Sequence, residues 1–120
     1  MKTRDYRDLI VWQRAMDLVG VSYQLAERLP RSERFGLTEQ IRRAAASVPG
    51  NIAEGNTRRT RADYLRHLFI ARASLAEVCS HVELACRLNY LLQPEDVREF
   101  HALSTKTHRM LYGLMKALKQ

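Results

Sequence analysis

The sequence has little cysteine and no long apolar run. Its 120 residues include two cysteines, Cys79 and Cys86, which would lie roughly 10 Å apart on one helix that rises about 1.5 Å per residue. That distance excludes a disulfide between them. No stretch approaches the roughly 18 consecutive apolar residues of a membrane span, and no hydrophobic signal core follows the charged residues 1–7. We therefore expect a cytoplasmic protein that enters no membrane, with both thiols as small buried side chains.

Acidic residues are also scarce. Thirteen Asp and Glu stand against 20 Lys and Arg, so the net charge is +7, and no acid occurs from Lys106 to the C-terminus. Polyanions are the natural partners of such a surface. The alternative is that the basic composition only keeps the protein soluble, and composition alone does not decide between the two.

The chain does have apolar residues at helical spacing. Hydrophobic residues make up 46% of the sequence, enough for one domain over residues 1–120 without disulfides or a structural metal. Four segments repeat apolar residues every three or four positions, and nothing resembles a strand. Because short connectors make sequential helices pack side by side, the pattern predicts an all-α, antiparallel, up-and-down four-helix bundle.

The first two predicted helices have clear boundaries. Asp8 is the expected N-cap of the first helix, and Pro30 ends that helix after Leu29. In the second helix Pro49 predicts a kink, and Gly55 is the expected C-terminal cap. The apolar stripes are Leu9, Trp12, Met16, Val19, Tyr23 and Ala26 in the first helix and Leu37, Ile41, Ala45, Val48 and Ile52 in the second.

The third and fourth helices continue this pattern. The third begins near Thr60 or Arg61 and should be the longest, at roughly 40 Å. Pro94 suits the first position of the fourth helix, whose stripe is interrupted by the polar Ser104 and Thr107. The apolar stripes are Tyr64, Leu68, Ala71, Leu75, Val78, Val82 and Ala85 in the third helix and Val97, Phe100, Leu111, Leu114 and Leu118 in the fourth.

Motifs for catalysis or metal binding are incomplete. The glycine spacing of residues 50–57 resembles a phosphate-binding loop, but Asn56 stands where the loop needs lysine. Glu77 and His81 can meet on one helix face, yet no matching pair on another helix completes a bundle metal centre. His101 and His108 are two turns apart, neither adjoins a serine or cysteine arranged as a nucleophile, and no triad is readable. We therefore predict no catalytic residue, no metal site, no cofactor and no enzymatic activity.

A helix-turn-helix is a further alternative for residues 39–56. Its turn would fall at Pro49 and Gly50. The recognition helix would then cover only residues 51–55, which is too short to fill a major groove. A single kinked helix is the preferred interpretation.

Charge placement gives the strongest functional signal. Basic residues gather opposite the apolar stripe of the fourth helix and at the start of the third. These candidate nucleic-acid-binding residues are Arg98, Lys106, Arg109, Lys116 and Lys119 in the first group and Arg58, Arg59, Arg61 and Arg66 in the second. Arginine favours phosphate contacts with little base specificity, so RNA or DNA binding would weaken steeply with salt. The alternative is an ordinary charged helix face, with cations placed at helix ends by the dipole.

A semi-polar stripe lies beside these cations on the fourth helix. His101, Thr105, His108 and Tyr112 follow helical spacing and belong clearly neither to the core nor to solvent. We take them as a candidate interface of a homo-oligomer. If the cations serve only solubility or contact an acidic protein, the chain is instead a protein interaction scaffold with no nucleic-acid role.

Four segments together resemble a known family. They are DLIVWQ at residues 8–13, GLTEQIRRA at 36–44, NIAEG at 51–55 and IARASL at 70–75. In this order they are similar to the four-helix-bundle proteins encoded in intervening sequences of bacterial 23S ribosomal RNA genes. The resemblance implies a ring-like homopentamer. It also implies kinship with the accessory variability proteins of diversity-generating retroelements, which bind nucleic acid and a reverse transcriptase. No catalytic residue comes with it.

Polar residues within these segments have a structural interpretation. Gln40, Arg43, Asn51 and Glu54 fall in or near the predicted kinked helix. A kink frees backbone groups that need polar partners, and an interface needs such partners too. We therefore expect these four side chains to stabilise the fold or an assembly rather than to act on a substrate.

Overall fold

The computed structural model describes residues 5–120, and in that range the chain forms four α-helices and no strand. The helices are α1 (Ile10–Glu27), α2 (Leu37–Asn56), α3 (Arg61–Arg87) and α4 (Arg98–Lys119), with short 3₁₀ turns at Tyr6–Asp8, Arg31–Glu33 and Pro94–Val97. Residues 1–4 of the predicted domain lie outside the described residues. Among the described helices, none is long and apolar enough to cross a membrane.

The four helices form an antiparallel ring in sequence order. Each packs against its neighbours in the chain, and α4 closes the ring against α1. Arg61 at the start of α3 donates to the carbonyl of Gln120, just beyond the end of α4. At the other end of the bundle, Arg28 after α1 pairs with Asp96 before α4 at 3.1 Å. The up-and-down bundle expected from the sequence is therefore confirmed.

The predicted start of α1 is wrong, and its predicted stripe is wrong in part: Ala26 is buried and Leu9, Trp12 and Val19 pack against the core, but Met16 and Tyr23 do not. Asp8 lies inside a 3₁₀ turn that Asp5 caps, so Leu9 occupies the N-cap position of α1. Met16 and Tyr23 are 45% and 42% exposed. The buried face of α1 instead consists of Val11, Ala15, Leu18, Ser22, Leu25 and Ala26. Both stripes satisfy helical spacing, and the buried one includes small side chains that let neighbouring helices approach closely.

Helix α2 continues through Pro49 without a break. It is α-helical from Leu37 to Asn56, which contradicts both the helix-turn-helix and the phosphate loop. Gly55 lies within the last turn and Thr57 is the C-cap, so the predicted glycine cap is also wrong. A Cβ on Gly55 would lie 2.9 Å from the Cβ of His67. The glycine is needed for close contact with α3 rather than for a left-handed cap, and the kink at Pro49 stays a prediction.

The boundaries and stripes of α3 and α4 agree closely with the sequence. The side chain of Thr60 accepts from the backbone N–H of Asp63 at 3.1 Å and caps α3. Its 27 residues make it the longest helix, at about 40 Å. Gln93 and Asp96 form a capping box around Pro94, although the first turn is 3₁₀ and α4 proper begins at Arg98. Side chains under 2% exposed fill the core and include Leu18, Ile41, Ile52, Leu68, Phe100, Thr107 and Leu111.

Candidate nucleic-acid interface

An open groove runs between α3 and α4 and defines the candidate site. Its main part has a volume of about 800 Å³ and is lined by Phe69, Arg72, Ala73, Leu75, Ala76, Cys79, Ser104, Thr105, His108 and Arg109. A smaller depression of about 190 Å³ shares Arg72 and adds Tyr112, Met115, Lys116 and Lys119. We call the two together the α3–α4 groove. Its lining contains cations and no acid.

The sequence explains why this seam is open. Ala73 and Ala76 are small, exposed side chains on the α3 wall. On α4, the residues that face them are Thr105, His108 and Arg109. All three are exposed rather than packed between the helices, and a long side chain such as that of Arg109 keeps its charged end in water. The seam is therefore a channel bordered by polar and charged groups.

An aromatic ring lies among the cations of the groove. Phe69 is 40% exposed. The guanidinium carbon of Arg72 lies 5.0 Å from the ring centroid and the ammonium of Lys119 lies 5.4 Å from it. Cation–π attraction, worth about 0.5–1 kcal/mol at exposed sites, helps to hold both charges beside the ring. Phe69 and Arg72 were missed by the sequence analysis, because only the pairing of α3 with α4 places them in one groove.

The structure brings together part of the predicted basic group on α4. Arg109, Lys116 and Lys119 line the groove. Lys106 is exposed on α4 but lines neither cavity, and Arg98 lies at the far end of the helix. In the described residues 5–120, none of Lys106, Arg109 and Lys116 forms an ion pair. The α4 side of the groove therefore carries uncompensated positive charge.

The second predicted basic group is more strongly neutralised. Arg58 pairs with Glu54 at 2.6 Å and Arg66 lies 3.8 Å from Asp63. Arg61 donates to the carbonyl of Gln120 at 3.0 Å, which brings this group close to the C-terminal end of α4. Arg59 is exposed in the same connector. The group extends the basic surface, but it contributes less free charge than α4.

The predicted oligomer stripe is divided by the structure. Thr105 and His108 line the main groove and Tyr112 the depression, with Tyr112 59% exposed. His101 instead meets the ring of Phe100 edge-on at 5.7 Å and lines neither cavity. Three of the four residues therefore belong to the candidate binding groove, and their role in an oligomer stays a prediction.

A different face of the bundle exposes apolar side chains. Met16 and Tyr23, seven residues apart on one side of α1, are 45% and 42% exposed, and Trp12 and Val19 beside them are half-buried. We call these four residues the outer α1 face. This face was not expected from the sequence, because helical spacing alone assigned Met16 and Tyr23 to the core.

A polar network closes the seam between α2 and α3. The amide of Asn51 donates to the carbonyl and the hydroxyl of Ser47 at 2.9 and 3.0 Å, and its Oδ1 lies 3.2 Å from Nδ1 of His67. Ser74 donates to the hydroxyl of Ser47 at 2.8 Å. The structural role expected for Asn51 is thus supported. Glu54 pairs with an arginine instead.

The other two polar residues of these segments lie outside that network. The side chains of Gln40 and Arg43 are exposed on α2. Neither forms a hydrogen bond or ion pair with another described residue. A contribution of Gln40 and Arg43 to the monomer fold is therefore not supported.

Both cysteines are half-buried, and their surroundings change the pKa of each thiol. Cys79 is half-buried in the groove beside Ser104, and burial raises its pKa. Burial, followed by the charges of Glu83 and Asp96, also raises the pKa of Cys86. Both thiols stay protonated at neutral pH and are less buried than expected. Among residues 5–120, no three His, Cys, Asp or Glu side chains are placed to share a metal ion.

The fold and the groove together define the class of protein. The chain is an all-α, up-and-down bundle whose interior is packed and whose α3–α4 groove is lined by cations and by no acid. It belongs to the 23S rRNA-intervening sequence protein family, whose model matches residues 7–113.

One solved structure is similar over most of the chain. It is the 1.70 Å crystal structure of a protein with unknown function from the S23 ribosomal protein family of Bacteroides thetaiotaomicron. The two share 25% sequence identity with a TM-score of 0.80, over 88% of this chain and 98% of that one. Comparison with curated proteins gives no match. The kinship with accessory variability proteins stays a prediction.

Proposed function

We propose that this chain is a non-enzymatic protein that binds RNA or DNA through phosphate contacts, with little sequence specificity. The observation that carries the proposal is the acid-free basic surface of α4. Lys106, Arg109 and Lys116 are exposed there, and the last acid before them in the sequence is Glu99. A polyanion would neutralise charges that no carboxylate of the described chain neutralises.

The charges predict how binding should depend on salt. Arg109, Lys116 and Lys119 line the α3–α4 groove with Arg72 across from them, and Lys106 is exposed on α4 outside the groove. If these five contact phosphates, the logarithm of the association constant falls with the logarithm of salt concentration with a slope of roughly −3.5 for a single strand and −4.5 for a duplex. A slope near zero would contradict phosphate binding.

Binding is also better supported than catalysis by the groups in the groove. The thiol of Cys79 has a raised pKa, which lowers the thiolate fraction that a nucleophile needs. The hydroxyl of Ser104 donates to the carbonyl of His101 in its own helix. These groups are engaged in packing and helix geometry, whereas Arg109 beside them is exposed and forms no ion pair with another described residue.

Self-association is the second part of the proposal, with five copies the number that the family resemblance implies. The outer α1 face supports it, because contiguous exposed apolar side chains commonly mark protein contacts. Met16→Glu with Tyr23→Glu should shift the chain toward monomer in analytical ultracentrifugation. An unchanged sedimentation profile would place the contact elsewhere, with the stripe of His101, Thr105, His108 and Tyr112 as the next region to test.

The nucleic-acid proposal is tested by charge reversal. Lys106→Glu, Arg109→Glu and Lys116→Glu together should abolish binding of mixed-sequence RNA and DNA oligonucleotides, measured by fluorescence anisotropy at low salt. The matched control reverses Arg31, Arg34 and Arg43 to Glu, because these exposed arginines lie outside the groove.

Both triple variants change the net charge equally. Equal loss of affinity in both would therefore mean nonspecific charge attraction. No binding by the unmodified protein would overturn the proposal and favour an interaction scaffold, which should instead retain a specific protein partner in a pull-down.

A further inference from the structure

We infer that the α3–α4 groove binds a single strand of nucleic acid, with an unstacked base on the ring of Phe69 and phosphates along Arg109 and Lys116. The inference rests on the proposed nucleic-acid binding and adds to it the kind of strand, the place and the stacking residue. Three independent features of the groove support it: its shape, its ring and its charges.

The shape of the groove favours one strand. The groove lies between two packed helices, whose axes are typically about 8–10 Å apart. A paired duplex is much broader, since its major groove alone is about 12 Å wide. A duplex can therefore only lie across the rim, whereas an unpaired strand can enter the groove and follow it.

The ring provides what an unpaired strand requires. Single-strand binding sites combine a positive channel with aromatic side chains on which bases stack, and stacking tolerates any base because every base has a π-face. Phe69 is 40% exposed at the wall of the groove. The guanidinium of Arg72, 5.0 Å from the ring centroid, adds a second planar surface for a base. A duplex keeps its bases stacked on each other and gains nothing from this ring.

The charges run along the groove rather than around a point. From Thr105 to Lys119 the α4 wall extends over about 21 Å at the standard helical rise. Arg109, Lys116 and Lys119 follow one another along this wall. This arrangement suits a linear polyanion better than a small phosphate compound, which would need cations converging on one place.

The bundle contains a matched control for the ring. Phe35 is an exposed phenylalanine at 80%, and the guanidinium carbon of Arg34 lies 4.7 Å from its centroid. It therefore has the same aromatic and cationic groups as Phe69 with Arg72. Phe35 lies outside the α3–α4 groove.

The first experiment compares Phe69→Leu with Phe35→Leu. We expect Phe69→Leu to weaken binding of a mixed-sequence single-stranded oligonucleotide by about 5- to 140-fold, the range for loss of one base stack. Its affinity for a duplex of the same sequence should change by less than about twofold, and Phe35→Leu should leave both affinities unchanged. No change with Phe69→Leu, or equal losses for single strand and duplex, would overturn the inference.

The second experiment locates the strand on the unmodified protein. Cys79 lines the groove and Cys86 does not, so alkylation of the two thiols by a neutral maleimide reports groove occupancy with an internal control. At mildly alkaline pH, where both thiols react, saturating single-stranded oligonucleotide should slow the alkylation of Cys79 and not that of Cys86, as followed by peptide mass spectrometry. Unchanged alkylation of Cys79 while the strand is bound would place the strand elsewhere.

The two proposals fail in different ways. If no oligonucleotide binds at low salt, the proposed function itself is wrong. If oligonucleotides bind and the α4 charge reversal abolishes binding, but Phe69→Leu has no effect and Cys79 is not protected, only the single-strand site is wrong. Protection of Cys79 equally by duplex and single strand would also reject the preference for an unpaired strand.

Discussion

The two sides of α3 differ sharply in how they meet their neighbours. Toward α2 the seam is closed by Gly55 and by the hydrogen-bonded network of Ser47, Asn51, His67 and Ser74. Toward α4 the same helix leaves a groove of about 800 Å³. One side of the helix therefore contributes to stability, and the other leaves space that a ligand can enter.

The difference comes from the size and polarity of the facing side chains. A glycine and two serines let the α2 and α3 backbones approach and satisfy one another's polar groups. On the other side, alanines of α3 face long cations of α4, which keep their charged ends in water. The contrast predicts that substitutions on the closed side change stability, whereas substitutions on the open side change binding.

The largest expected effect is at the closed side. Overpacking typically costs about 1–3 kcal/mol. Gly55→Leu should lower the free energy of unfolding by about 3 kcal/mol or more. A Cβ at Gly55 meets His67 at 2.9 Å and the Tyr64 carbonyl oxygen at 3.2 Å. Gly113→Leu is the control, because nothing lies within 4 Å of a Cβ there. It should stabilise α4 by about 0.5–1 kcal/mol. If urea unfolding gave the same change in the free energy of unfolding for both variants, the proposed difference between the two sides of α3 would be contradicted.

A smaller loss is expected from the polar network. Asn51→Ala should lower the free energy of unfolding by about 1–3 kcal/mol, because it leaves Nδ1 of His67 without its partner and removes the bonds from the Asn51 amide to Ser47. Gln40→Ala, at an exposed amide of the same helix, should change stability by less than about 0.5 kcal/mol. Thermal unfolding followed by circular dichroism measures both. If Asn51→Ala left the stability unchanged, water would be replacing the hydrogen bonds of the Asn51 side chain.

On the open side, the expected change is in affinity. Ala76→Leu places a larger side chain in the groove and should weaken single-strand binding by about tenfold, equivalent to about 1.4 kcal/mol. Its stability should stay within about 0.5 kcal/mol of the parent. Ala46→Leu, at an exposed alanine of α2, serves as the control. A marked loss of stability with Ala76→Leu would mean that this side is also closed.

The smallest expected effect concerns acid stability at the end of the bundle opposite the C-terminus. The hydrogen bond from Arg28, followed by that from the backbone of Gln93, lowers the pKa of Asp96 below its ordinary value of 3.8. Because the folded-state pKa is depressed, the stabilisation is present above pH 3.8 and is lost as the pH falls through the folded-state value. Asp96→Asn should therefore flatten the decline of the melting temperature below that pH. An unchanged decline would show that this ion pair contributes nothing.

The sequence predicts the helices well and their contacts less well. The stripe of α3 and the polar interruptions at Ser104 and Thr107 are confirmed, because only one face of each helix is apolar enough to form a core. In α1 two adjacent stripes have helical spacing, and periodicity alone favoured the one with larger side chains. The exposed Met16 and Tyr23 show that the smaller side chains form the buried face.

The candidate site was predictable only in part. The cations of α4 could be found from sequence, because they lie on one helix face without acids. The contribution of Phe69 and Arg72 depends on which side of α3 meets α4, and that is fixed by packing rather than by local spacing. The pairing of Arg66 with Asp63 follows from their spacing within α3. The pairing of Arg58 with Glu54 could not be predicted in this way, because Arg58 lies in the connector beyond α2.

The missing side chain at Gly55 also has a consequence for recognition. Contact of Gly55 with Tyr64 and His67 locks the end of α2 against the start of α3, and only residues 57–60 separate the two helices. The exposed Arg59 therefore lies on a short connector between two packed helix ends. A polyanion bound there, as proposed, would have to order only a few connector residues, so less conformational entropy would be lost on association. A single hydrogen atom in place of a methyl group thereby preorganises the basic end of the bundle.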